Sequence, residues 1–252
     1  WSSGQQSDTI EITSSAMYHL TVTENSCIGE DSVEVVFNSL PHPAISPAGP
    51  VNACSGDIVG LDAGSGFTDY NWSSGATTQL SQVVSSGSYI VTVTQNGCSG
   101  NDTVEVNYFV NPVTNISPAG PMSVCESVTL SADPGFSQYS WSNDSTGTSV
   151  IITASGTYIV TVTENNCSGT ASVSVTVNPV PHATITPSGV INICEGESVT
   201  LDAGSGYSSY LWSNNINSQT NVVTTTGPYD VTVSDGNCSG DAANQVTVFV
   251  NV

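Results

Sequence analysis

Apolar and polar residues alternate with a period of two in the most regular stretches of this chain. In YIVTVT the set Tyr89, Val91 and Val93 alternates with Ile90, Thr92 and Thr94, and in VGLDA the residues Val59, Leu61 and Ala63 share one face. That period belongs to a half-buried β-strand, whose successive side chains point to opposite faces. The same pair of strands recurs as Tyr158, Val160, Val162 with Val128, Leu130, Ala132, and again as Tyr229, Val231, Val233 with Val199, Leu201, Ala203. Turn signals at DAGSG, QNGCSG, ENNCSG and DGNCSG punctuate them. No stretch carries a helical period and β-branched residues dominate, so the expected class is all-β.

The pattern is itself repeated. Trp1, Trp72, Trp141 and Trp212 are spaced by 71, 69 and 71 residues, the signature of a tandem array. Full copies occupy residues 42–111, 112–180 and 181–252, and residues 1–41 match only the C-terminal half of a copy. The chain therefore opens inside a repeat, and a longer parent polypeptide is expected. Short strands separated by such turns, in units of about 70 residues, predict small β-sandwiches of immunoglobulin-like type. Tyr70 and Trp72 share a face and belong to the core on this reading. The junctions SLPHPAISPAGP, VNPVTNISPAGP and VNPVPHATITPSG are rich in proline, which fixes φ and stiffens the link between neighbours.

Composition narrows the partners. The chain has no Lys or Arg against 21 Asp plus Glu, a formal net charge of −21. Nothing neutralises phosphate, which excludes nucleic acid and disfavours anionic membranes. No apolar run is long enough to enter a bilayer as a helix, so no membrane insertion is expected.

The seven cysteines are Cys27, Cys54, Cys98, Cys125, Cys167, Cys194 and Cys238. One pairing stays within repeats, joining Cys54 to Cys98, Cys125 to Cys167 and Cys194 to Cys238, across 44, 42 and 44 residues. It leaves Cys27 unpaired. The rival joins neighbours, Cys27 to Cys54, Cys98 to Cys125 and Cys167 to Cys194, each 27 apart, and leaves Cys238 over. Counting cannot separate the two. The within-repeat scheme is preferred because a domain this small holds only about 3–5 kcal/mol of its own, and a bridge adds roughly 4 kcal/mol. Disulfides place the chain in an oxidising, extracellular setting.

The motifs CEGESVTLDAGSG, YLWSNN, WSSGATTQ, SGTYIVTVTENNCSG and VTVNPVP resemble the Ig-like or PKD-like repeats of giant secreted surface proteins of Bacteroidota. That group includes adhesion and gliding proteins exported by the type IX secretion system. The resemblance covers nearly the whole chain and implies a bacterial cell-surface location. It also implies O-glycosylation at Asp followed by Ser or Thr, which here marks Thr9, Ser32, Thr103 and Ser145.

Catalytic chemistry is missing from the pattern. His19, His42 and His182 lack the neighbours of a triad or a zinc motif, and the carboxylates recur with the repeat, as in a scaffold. The chain is expected not to be an enzyme and to need no cofactor. Calcium is the one ion for which loops such as CSGND, CIGED and LDAGSG offer oxygen ligands. The expected function is a non-catalytic structural or adhesive stalk, or a fibre segment. Its partners would be further repeats of the same polypeptide and laterally associated chains, with an adhesive surface or glycan target left open. The alternative is a set of carbohydrate-binding modules of a secreted enzyme, which would need Trp72, Trp141 and Trp212 exposed as stacking platforms.

Overall fold

A computed structural model describes residues 1–251. Those residues contain strands, turns and bridges and no helix. They form two compact units, Trp1–Val110 and Asn111–Val252, each described by itself.

The first unit begins with a hairpin of β1 (Ala16–Glu24) and β2 (Cys27–Val35). A complete sandwich follows, made of β3 (Val51–Cys54), β4 (Val59–Asp62), β5 (Asp69–Trp72), β6 (Leu80–Val83), β7 (Gly87–Gln95) and β8 (Cys98–Phe109). One sheet runs β3-β8-β7-β5, with β3 parallel to β8 and the other pairs antiparallel. The facing layer pairs β4 with β6, and Ser46 bridges Asp62 at its margin. The entering chain thus touches one sheet at Ser46 and crosses to the other at β3. This split first strand, with the tryptophan strand β5 beside β7, is the immunoglobulin-like arrangement.

The second unit holds two more sandwiches. The earlier one consists of β9 (Ile116–Ser117), β10 (Met122–Cys125), β11 (Val128–Ala132), β12 (Gln138–Trp141), β13 (Ser149–Ile152), β14 (Gly156–Glu164) and β15 (Cys167–Asn178). Its sheets are β10-β15-β14-β12 and β13-β11-β9. The later one consists of β16 (Gly189–Cys194), β17 (Val199–Asp202), β18 (Ser209–Trp212), β19 (Thr220–Val223), β20 (Gly227–Tyr229), β21 (Val231–Ser234), β22 (Ser239–Asp241) and β23 (Val246–Asn251). Here the two long strands are each broken in two. Thirteen residues separate Cys238 from Asn251, where eleven separate Cys167 from Asn178. The extra length loops out around Asn244, whose Oδ1 accepts the Ile185 N–H at 2.8 Å. In the first sandwich Asp102 receives the Ile45 N–H in the same way, at 2.7 Å.

Each sandwich has its own core, and the alternation explains which residues enter it. Leu61, Ala63, Trp72, Val91, Val93, Val104 and Val106 are buried in the first, with Tyr70 and Tyr89 packed against them. Leu130, Trp141, Val160 and Val162 serve the second, and Leu201, Trp212, Val231 and Val233 the third. The Asn96–Gly97 turn between β7 and β8 has positive φ at both residues. This is what a two-residue hairpin turn requires to match the twist of its strands.

Candidate functional site at the repeat junctions

The aromatic residues settle one question directly. Trp72, Trp141 and Trp212 are 2%, 2% and 1% exposed. Each indole N–H donates to the carbonyl six residues on, of Thr78, Gly147 and Ser218 respectively, at 2.9 Å. The strand tyrosines are held as firmly, because Tyr89, Tyr158 and Tyr229 donate to carbonyls four residues back. The stacking platforms that carbohydrate-binding modules would need at these tryptophans are therefore absent. Trp1 makes the same bond to Ser7 but is only half-buried.

The cysteines are arranged otherwise than either sequence scheme expects. Cys125, at the end of β10, is joined to Cys238, at the β21–β22 turn of the next sandwich, 113 residues away. Cys54 and Cys167 are disulfide-bonded as well. Cys27, Cys98 and Cys194 are thiols, the first and last of them exposed. The expected bridges Cys54–Cys98, Cys125–Cys167 and Cys194–Cys238 do not form, and neither does the neighbour pairing of Cys98 with Cys125.

The reason lies in the register. β10 runs parallel to β15, which sets Cys125 opposite Asn178, at the end of the sandwich from which the chain leaves. The hairpin bearing Cys238 returns to that same end, and its Sγ lies 3.9 Å from the Asn178 carbonyl oxygen. Cys167 opens β15 at the opposite end of that sheet, eleven residues from Asn178.

The junction also depends on glycines whose role the sequence conceals. A Cβ on Gly100, Gly169 or Gly240 would land on the carbonyl oxygen of Pro41, Pro112 or Pro181. The junction proline passes over each strand at the third letter of its CSG motif, so a side chain there collides with backbone. CSG recurs at 54–56, 98–100, 167–169 and 238–240, and the last three copies, which follow the YxVTV strand, are the ones that mark the crossings.

The remaining candidates are dispersed. Thr9, Ser32 and Thr103 are exposed and Ser145 is half-buried. Asp31 and Asp102 accept the N–H of Ser32 and Thr103 at 2.8 Å, so these carboxylates serve their own strands. In the LDAGSG loops Asp62 accepts from Gly64 N and Gln79 Nε2, both at 2.8 Å. Asp202 accepts from Gly204 N at 2.8 Å and Gln219 Nε2 at 2.9 Å. The Gln219 bond first, then the Gly204 bond, hold the Asp202 carboxyl below the ordinary carboxylate range. Asp235 is lowered by the N–H groups of Cys238 and Asn237. His182 Nδ1 lies 3.0 Å from the Asp241 carbonyl. Among the described residues no group of three or more His, Cys, Asp or Glu converges as metal ligands would. Among the described residues no helix is long and apolar enough to cross a membrane.

No protein-family model matches this chain, and no curated protein does. Solved structures do. The I-band fragment I67–I69 from titin aligns over 85% of this chain and 100% of its own, at 10% identity and a TM-score of 0.41. Drosophila OTK, extracellular domains 3–5, aligns over 85% of this chain and 100% of its own at 12% identity and a TM-score of 0.34. Sidekick-1 immunoglobulin domains 1–5 align over 94% of this chain and 67% of their own, at 11% identity and a TM-score of 0.32. By the topology of its own sheets, this chain is a tandem array of immunoglobulin-like β-sandwiches.

Proposed function

We propose that the chain is a non-catalytic stalk or fibre segment of an extracellular bacterial repeat protein. The observation that carries this reading is the Cys125–Cys238 bridge, which links one sandwich to the next instead of bracing a single one. A bridge placed there adds little to recognition or chemistry. It resists the separation of neighbours, which is what a stalk under tension needs. Disulfides also belong to an oxidising compartment. The net charge of −21 without a single cation favours solubility.

The same reading takes further repeats of the polypeptide as the immediate partners, with lateral contacts between sheet edges and polar faces. It places the array at the cell surface, with O-glycans on Thr9, Ser32, Thr103 or Ser145. Peptide mass mapping of the protein from its native source checks the glycans, and unmodified peptides at all four positions reject them.

Single-molecule stretching tests the stalk itself. With the bridge intact, the 113-residue separation between Cys125 and Cys238 is withheld from extension. At about 3.6 Å per residue that is about 400 Å of contour length, so reduction, which also opens the bridges at Cys54 and Cys167, should release at least that much. A chain that yields the same total extension before and after reductant is not mechanically stitched, and the reading fails.

A further inference from the structure

The Cys125–Cys238 bridge is unequal at its two ends. Cys125 closes the edge strand β10 and is exposed, whereas Cys238 lies in the β21–β22 turn and is 3% exposed. A nucleophile arriving from solvent therefore meets the cysteine of β10 first. Thiol–disulfide exchange depends on which sulfur is reached as well as on the thiolate that attacks it.

The surroundings govern the sulfur that leaves. Cys125 Sγ lies 3.8 Å from the Asn237 carbonyl oxygen, and Cys238 Sγ lies 3.9 Å from that of Asn178, so each sulfur faces main chain from the other sandwich. Bridged sulfurs carry no proton. Once the bond opens, a Cys238 thiol can donate its S–H to the Asn178 carbonyl. The charge around the bridge has one sign. Glu126 follows Cys125 and is exposed, and Asp235 Oδ1 accepts the Cys238 N–H at 2.8 Å. The chain has no Lys or Arg to offset them.

We propose that this bridge is an exchange site for small cationic thiols, of the aminothiol class, which enter at Cys125. The carboxylates of Glu126 and Asp235 repel a thiolate that carries further negative charge and attract one that carries an ammonium group. At low ionic strength little screens these interactions. Burial of Cys238 fixes the direction of attack, and the flanking charge fixes the class of thiol. The site stands on the bridge and its neighbours, whether or not the array serves as a stalk.

The step balances without a further reagent. The aminothiol gives its proton to water, and its thiolate attacks Cys125 Sγ. A bond forms between those two sulfurs while the Cys125–Cys238 bond breaks, and the electron pair of the broken bond stays on Cys238. Cys238 takes up a proton from water and becomes a thiol beside the Asn178 carbonyl. One disulfide is consumed and one is made, so nothing is oxidised or reduced overall. The product carries the aminothiol on Cys125, and the two sandwiches are no longer cross-linked there.

The test uses the whole chain. Cys27, Cys98 and Cys194 are thiols and are first capped with iodoacetamide, so that exchange begins only at bridges. Cysteamine, which is cationic, or glutathione, which is anionic, is then added at low and at high salt. Samples taken while most of the bridge is intact are stopped in acid, and the released thiols are capped with a maleimide in denaturant. Peptide mass mapping reads which cysteine carries the added thiol, with Cys54 and Cys167, also disulfide-bonded, on separate peptides. The expected result is the added thiol on Cys125 and maleimide on Cys238. The cysteamine-to-glutathione ratio at Cys125 should fall about tenfold between about 0.01 M and about 1 M salt, as the Debye length shrinks from roughly 30 Å to roughly 3 Å. Intrinsic reactivities of the two thiols cancel in that comparison. Glu126→Gln should lower the low-salt ratio about threefold, since it removes one of the two nearby charges. Added thiol on Cys238 as often as on Cys125, none on either, or a ratio that salt or Glu126→Gln leaves unchanged overturns the proposal.

Discussion

Cys125 and Cys238 are bonded across 113 residues, and their Cα atoms stand 5.8 Å apart although they belong to successive sandwiches. The bridge closes a loop that contains most of both domains. Its entropic effect on the fully unfolded segment is about 5 kcal/mol in the chain-entropy model, and it acts only when both sandwiches unfold together.

Replacing both cysteines by serine should therefore leave each core intact and weaken the coupling between them. Calorimetry should show the transitions of the two sandwiches separating or broadening, with a loss of up to about 5 kcal/mol in their summed stability. An unchanged profile would mean that the two sandwiches already melt independently of the bridge.

The cost of a side chain at the proline crossing is the next expectation. Gly169→Ala drives a methyl group onto the Pro112 carbonyl oxygen, and overpacking against backbone costs about 1–3 kcal/mol. Gly60→Ala is the control, since its Cβ meets nothing within 4 Å. That variant should stay within about 0.5 kcal/mol of the parent. Equal denaturation midpoints for the two would refute the crossing as a constraint.

Trp141→Ala removes the largest side chain of its core and the bond from its indole to Gly147. The expected loss is about 3–5 kcal/mol, enough to unfold that sandwich. Trp1→Ala should cost far less, because Trp1 is only half-buried. Fluorescence-monitored urea titrations of the two variants check the contrast, and a Trp141→Ala chain as stable as the parent excludes a core role.

These expectations differ in how far the sequence alone reached. The strands and their inward residues follow from neighbours in the chain, so Val91, Val93, Leu61 and Trp72 were identified by alternation and are buried. The bridge depends on how one sandwich seats on the next, which no local pattern records. Counting compared separations near 44 and at 27 and passed over 113, the separation of Cys125 and Cys238. The CSG glycines were equally misleading. They look like turn residues, yet Gly169 lies within β15 opposite Val162 and is needed for what passes over it. The broken strands of the last sandwich trace to two added residues before Val246, an irregularity visible in the alignment of copies but not its structural effect.

Acid sensitivity distinguishes the last sandwich from its neighbour. Asp202 is held below the ordinary carboxylate range by its bonds from Gln219 and Gly204, and Asp235 by the N–H groups of Cys238 and Asn237. A carboxylate with a depressed folded pKa contributes stability that is present above its unfolded pKa and lost as pH falls through the folded one. The window thus lies below about pH 4, with the loss growing as pH is lowered. Ser131 stands where Asp202 would in the preceding sandwich, so that domain lacks this contribution. Protonating the other carboxylates relieves the repulsion of a chain with net charge −21, which works in the opposite direction for every repeat. Comparison with Asp202→Asn removes that common effect, since asparagine keeps an oxygen to accept the same bonds but does not titrate. Below pH 4 the parent should lose stability in its last sandwich more steeply than the Asn variant, as read from the highest-numbered repeat by hydrogen exchange. Parallel pH profiles for the two proteins would show that the Gln219 and Gly204 bonds do not distinguish the charged carboxylate from its neutral form.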